Sequence, residues 1–273
     1  MNKISSLKSP ALAGVIKEKS ERDAIAEIKN CLYHGADMID LHMSCLEKTD
    51  VETLSNIISA SRLPVLALNY NVDYDMNACG LSEEERVQTF RNAVAAGAAG
   101  VDIQGYTFNA EAKTAFCGED KYSFTKCAPL EVVTDAETIS KQCEFIEWVH
   151  SNNAEVLLSC HPNRVMSCQQ IVDLALFLEQ RHPDIIKIVS LAETQDDLVE
   201  SFVTMKELKK NLQTKVSFHV GGKCGALSRI INPMLGSHIV FCNDSFKGNS
   251  IMEQVHLETA RRIIDSVERI ESI

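Results

Sequence analysis

Residues 154–191 read AEVLLSCHPNRVMSCQQIVDLALFLEQRHPDIIKIVSL. An apolar, β-rich run is followed by a longer stretch with apolar residues at helical spacing, and then by a second apolar run. That order is the signature of two parallel strands joined by a crossover helix. The first run closes on His161, and the second carries Lys187 in its middle. The architecture and the chemistry are both read from this unit.

The same alternation fills the rest of the chain. Strands are expected at Ala11–Ile16, Met38–Met43, Pro64–Tyr70, Gly100–Gly105, Ala154–His161, Asp184–Leu191, Lys215–Gly222 and His238–Asn243. Helical patterns lie between them at 22–34, 51–61, 82–97, 135–152, 167–182, 194–211, 225–235 and 249–270. Ser82-Glu83-Glu84-Glu85 and Thr194-Gln195-Asp196-Asp197 place a capping side chain and acidic residues at helix starts, where the dipole favours them. Eight such units predict an α/β fold, a single-domain (β/α)8 TIM barrel over 1–273. Its strands are continuous Val/Ile/Leu runs because both faces are covered. An open doubly wound sheet fits less well, since no G-x-G-x-x-G follows the first strand. The segment at about 106–134 is too long for a simple strand-to-helix connection and reads as an insertion, either a lid or a plain surface excursion.

Composition narrows the partners. The 273 residues carry 27 Lys plus Arg against 38 Asp plus Glu, a net charge of -11, so no global basic surface exists for a phosphate backbone and nucleic acid is not expected. No run approaches the roughly 20 apolar residues of a membrane span, and the first residues lack a signal-like apolar core. The expectation is a cytoplasmic protein that works without a membrane. The 10 cysteines form no C-x-x-C pair and mostly sit in apolar runs, which reads as reduced core thiols with no structural metal.

In a barrel of this kind the chemistry gathers at the C-terminal ends of the strands. Lys187 is the unusual residue there, an ammonium in an apolar strand. Burial favours the free amine, which attacks ketones and aldehydes. An iminium formed on it acidifies the neighbouring carbon, and His161, closing the adjacent strand, is the candidate to move that proton. Arg229, in Gly225-Ala-Leu-Ser-Arg229, could hold an anionic substrate group by a bidentate contact.

These segments, together with Gly35-Ala-Asp-Met-Ile-Asp-Leu-His42, Pro64-Val-Leu-Ala-Leu-Asn69, Gly100-Val-Asp-Ile103 and Gly236-Ser237, resemble type I 3-dehydroquinate dehydratase, a Schiff-base hydro-lyase of the shikimate pathway. The resemblance implies an imine on Lys187 with no cofactor and a homodimer. It makes His161 the acid–base that takes the α-proton and protonates the departing hydroxyl, and Asp40 its neighbour in the family's glutamate position. Arg229 would then grip a substrate carboxylate, with Ser245 and Asn249 as further substrate contacts. His42 and Tyr70 stand where the family has arginines, so they enter the substrate-binding shell with different chemistry. The implied partner is a small polyhydroxylated keto-acid or ketone, 3-dehydroquinate or a related β-hydroxy ketone.

Two other readings remain open on the residues alone. A divalent metal held by Asp40, His42, His161 and His219 could polarise a carbonyl in a carbon–oxygen or carbon–carbon lyase. A barrel that has lost its substrate arginines could equally serve as a non-catalytic small-molecule binder.

Overall fold

In the computed structural model, described over residues 3–70, 81–109, 131–162, 164–248 and 250–271, every expected strand and helix forms. The strands are β1 Ala11–Ile16, β2 Met38–His42, β3 Val65–Leu68, β4 Gly100–Gln104, β5 Glu155–Cys160, β6 Ile185–Leu191, β7 Lys215–Gly221, β8 Ile239–Asn243 and a short β9 Val255–His256. The helices are α1 Glu21–Tyr33, α2 Val51–Ser59, α3 Glu83–Ala95, α4 Ala136–Ser151, α5 Cys168–Glu179, α6 Gln195–Asn211, α7 Ser228–Met234 and α8 Leu257–Glu271. Ser82, Ser167 and Thr194 close reciprocal capping boxes with Glu85, Gln170 and Asp197, which satisfies the first orphan amides of α3, α5 and α6.

All pairings in the nine-stranded sheet are parallel, in the order β7-β6-β5-β4-β3-β2-β1-β8-β9. The sheet curls round, and its seam between β7 and β8 is closed by hydroxyls rather than by a regular ladder. Phe218 N–H donates to Ser237 Oγ at 2.9 Å, Ile239 N–H donates to Ser217 Oγ at 2.9 Å, and His238 N–H donates to the Val216 carbonyl at 2.8 Å. At the mouth β8 pairs instead with β9 through Cys242 and Asn243. The residues leading into β9 therefore reach the open end of the seam.

Two apolar layers follow from the sheet's two faces. The outer one packs the helices on the strands, with Leu12, Ile39, Ala67, Val101, Leu158, Ile186 and Phe218 against Ile28, Phe90, Phe145, Ala175 and Leu208. The inner one fills the closed end of the barrel with Ala13, Val15, Met38, Leu66, Leu157, Ile185 and Ile239, and Ile4 plugs it from below. This interior plug is the floor on which the polar residues stand. The described cysteines, Cys31, Cys45, Cys143, Cys160, Cys168, Cys224 and Cys242, are free thiols.

Arg86, on α3, is wholly buried and ties the barrel's rim together. Its guanidinium meets both oxygens of Glu83 at 2.8 and 2.7 Å, the Asn69 carbonyl at 2.7 Å, Gln104 Oε1 at 2.6 Å and Thr107 Oγ1 at 3.0 Å. These bonds hold the ends of β3 and β4, and Asn69 immediately precedes Tyr70. Nothing in the periodicity announces this arginine, because at sequence level it is one more charged helical residue. Arg86→Leu should lower the unfolding free energy in urea by about 3–5 kcal/mol, the usual result of leaving a buried charge without its partner. A loss below about 1 kcal/mol would show that the hub is not structural.

Candidate active site

The even-numbered strands β2, β4, β6 and β8 send Asp40, Asp102, Lys187 and Phe241 into the barrel. Interior layers of such barrels take their side chains from alternate strands and are ordinarily apolar. Here the layer contains two carboxylates and an amine. Lys187, only 5% exposed, points its Nζ at Asp102 Oδ2 at 3.3 Å and lies 4.2 Å from the centre of the Phe241 ring. Burial pushes the Asp102 carboxyl above the usual carboxylate range, and the ammonium of Lys187 pulls it back.

His161 stands at the end of β5, in the same cavity. Its backbone N–H donates to Glu131 Oε1 at 2.7 Å, and its Nδ1 lies 3.4 Å from the same oxygen. Its Nε2 is 3.2 Å from the Tyr70 hydroxyl, whose ring meets the imidazole edge-on. A carboxylate can only accept, so Nδ1 carries the proton and Nε2 offers its lone pair to the Tyr70 O–H. Burial holds His161 well below the ordinary imidazole value, and the charges of Lys187 and Arg229 push it the same way. Tyr70 is driven well above the ordinary phenol value by burial and by the charges of Asp102 and Asp40. At neutral pH the site therefore holds a neutral base beside a protonated phenol.

The cavity is lined by Asp40, His42, Tyr70, His161, Lys187, His219, Arg229, Glu253 and Gln254, with Phe241 and Ile251 among its apolar walls. Arg229 is seated by its own motif. Ser228 Oγ bonds the Val220 N–H at 2.9 Å and the Gly225 carbonyl at 2.7 Å, bolting α7 to β7. Gly225 packs so close that a Cβ would stand 2.3 Å from the Gly221 carbonyl oxygen. That contact is with backbone, so only glycine fits.

A family model for type I 3-dehydroquinase matches residues 130–271, half of the chain. The chain belongs to the type I 3-dehydroquinase family. It is a divergent member. A curated 3-dehydroquinate dehydratase of Methanobrevibacter smithii is 20% identical over 251 residues, covering 92% of each chain. The crystal structure of 3-dehydroquinate dehydratase from Geobacillus kaustophilus superposes with a TM-score of 0.77 at 12% identity, over 98% of this chain and 96% of that one. The type I enzyme of Clostridium difficile, solved with covalently modified comenic acid, gives 0.76 at 15% identity, over 98% and 95%.

Of the residues expected in this dehydroquinase-family site, Lys187, His161, Asp40, His42, Tyr70 and Arg229 come together around one cavity. Their contacts differ in three respects from the sequence reading. Asp40 bonds His42 Nε2 at 3.2 Å, while the carboxylate at His161 is that of Glu131. Arg229 is engaged by Glu253, 3.1 Å from its Nη2. Ser245 is exposed and donates to Glu27 Oε1 at 3.3 Å, because the chain after β8 first turns outward over α1. Asn249 lies outside the described residues. Among the described residues no group of three or more His, Cys, Asp or Glu side chains is placed to share one metal ion.

Asp102, Glu131, Glu253 and Gln254 escaped sequence reasoning. Asp102 was detectable as a carboxylate inside the Gly100-Val-Asp-Ile103 strand, on the same argument that singled out Lys187. Glu131 belongs to the long segment 106–134, whose residues 110–130 lie outside those described. At its end the Val133 N–H donates to the Gly105 carbonyl at 3.0 Å, which brings Glu131 up against His161. No local pattern announces that return.

His219, on β7, is also held well below the ordinary imidazole value, by burial first and then by Arg229 and Lys187. On unfolding, His161 and His219 regain a value near 6.5. Below that pH the unfolded chain binds more protons than the folded one, so stability is full above about 6.5 and falls as the pH drops toward the depressed folded values. The melting temperature should therefore decline from about pH 7 to pH 5, and His219→Asn should make that decline shallower. Parallel melting curves for the two proteins across this range would contradict the assignment.

Proposed function

We propose that the chain is a Schiff-base dehydratase that eliminates water from 3-dehydroquinate or a related β-hydroxy ketone, with Lys187 as nucleophile and His161 as acid–base. The observation that carries this reading is the buried amine of Lys187, paired with Asp102 and opening into the cavity that also holds the neutral imidazole of His161. Family membership supports the reaction class, a hydro-lyase. The covalent ligand complex of the Clostridium difficile enzyme supports a site suited to covalent capture.

Asp102 takes one proton from the Lys187 ammonium, a transfer favoured by the burial that raises its carboxyl. The freed amine adds to the ketone carbonyl, and loss of water leaves an iminium. That iminium draws electrons from the adjacent carbon, whose proton passes to His161 Nε2. The resulting enamine expels the β-hydroxyl as water, with His161 returning the proton. Water then hydrolyses the conjugated imine and restores the lysine. Tyr70, on Nε2, shields the lone pair until substrate replaces the phenol, and Glu131 holds Nδ1–H so that the base presents the correct nitrogen.

The same reading takes the chain as one barrel domain needing no cofactor, acting as a cytoplasmic homodimer on a small-molecule substrate. No helix among the described residues is long and apolar enough to cross a membrane. Borohydride reduction with 3-dehydroquinate and a panel of uncharged polyhydroxy ketones should attach a ligand to Lys187, read by peptide mass spectrometry. Lys187→Ala should show no adduct. His161→Ala should still form one while dehydration slows by about 10²–10⁴-fold. An adduct on another lysine, or turnover unchanged by either substitution, would refute the mechanism.

A further inference from the structure

The cavity has two cationic side chains in its wall, Lys187 and Arg229, and each is met by a carboxylate of the chain itself. The Arg229 pair sits at the rim. Glu253 Oε2 is 3.1 Å from Arg229 Nη2, and its Oε1 accepts the Gly222 N–H at 3.1 Å. Gly221 lies directly beneath, where a Cβ would stand 2.9 Å from Oε2. A cation, a backbone amide and a missing side chain together make a seat shaped for one carboxylate, and the chain already fills it. β9 holds Glu253 there, since its pairing with β8 begins two residues later at Val255.

We infer that Glu253 is a specificity residue that occupies the anion seat of Arg229, so that the pocket takes a polyhydroxylated carbonyl compound bearing no carboxylate at that end. This rests on the Schiff-base reading above and names its substrate class. A ligand carboxylate could reach Arg229 only by lifting Glu253 off its bonds to Arg229 and the Gly222 N–H. It would then leave a second negative charge beside its own, in a cavity that also contains Asp40. An uncharged hydroxyl meets no such penalty. The remaining wall is suited to hydroxyls: the ring of His219 makes no hydrogen bond among the described residues and lies against Phe241, and as a neutral imidazole it offers one donor and one acceptor. Gln254 adds an amide whose Oε1 is buried with no hydrogen-bond partner.

The test uses ligands without a ketone, so that its result is independent of imine formation. Quinate, a cyclic polyhydroxy carboxylate, and its uncharged methyl ester are titrated calorimetrically into the full-length protein. The wild type should bind the ester at least as tightly as the acid. Glu253→Ala, which empties the seat, should tighten quinate by about tenfold or more, and Glu253→Gln, which keeps the shape without the charge, should tighten it by about threefold. Adding Arg229→Ala to Glu253→Ala should erase the gain. Unchanged melting temperature in the Glu253 variants verifies folding. Wild-type preference for quinate over its ester, or no gain for quinate in either Glu253 variant, weak or absent binding throughout included, would overturn the inference. Borohydride trapping at Lys187 decides the Schiff-base reading separately.

Discussion

An ammonium drawn out of water costs several kcal/mol unless an opposite charge meets it, and in this barrel that charge is Asp102, 3.3 Å from Lys187 Nζ. The rest of the site is arranged around this pair. Its two members come from β4 and β6, so the contact forms only when the sheet has curled far enough for alternate strands to face each other across the interior. The apolar floor beneath, from Met38, Leu66, Leu157 and Ile185, keeps water from replacing either partner. The pair also connects fold to reactivity. A carboxylate that burial has made more basic is the natural place for the proton that an amine must lose before it attacks a carbonyl.

The base is set by a different pair of elements. Glu131 arrives on the chain returning toward α4, Tyr70 on the end of β3, and each takes one nitrogen of His161. This division specifies the tautomer without a charge on the ring, because the surrounding cations disfavour an imidazolium. Arg86 supports the arrangement from behind, since the carbonyl it binds belongs to Asn69, next to Tyr70. Both cations at the mouth are thus already paired, lysine with aspartate and arginine with glutamate, beside the further carboxylates of Asp40 and Glu131. Such a site selects by hydrogen-bond geometry more than by net attraction.

How far these features were legible beforehand depends on whether their signal is local. The strand–helix alternation is local, and it yielded all eight principal strands in place. Lys187 was legible because a cation in an apolar run is anomalous wherever the run folds. His161 and Arg229 were legible only through the strand ends and motifs next to them. What the sequence hid was pairing at a distance. Glu131 is 30 residues from His161 and Arg229 is 24 from Glu253, and neither spacing has a periodic meaning. The seam also escaped notice: a closed ring is expected from eight units, but only coordinates reveal that Ser217 and Ser237 supply hydroxyls where β7 and β8 lack a regular ladder. Ser245 illustrates the converse. It lies in a segment that resembles a family motif, yet it faces Glu27 and solvent, and the cavity is reached instead by Glu253 and Gln254 further along the chain.

In the proposed mechanism the substrate becomes attached to Lys187 Nζ, with His161 facing the next carbon. A crystal structure of the protein soaked with a polyhydroxy ketone and reduced with borohydride tests it most directly. Unbroken density is expected from Lys187 Nζ to the former carbonyl carbon, with His161 Nε2 nearest the adjacent carbon and Asp102 still beside the amine. A ketone held without a covalent bond, or attached to any other lysine, would contradict it.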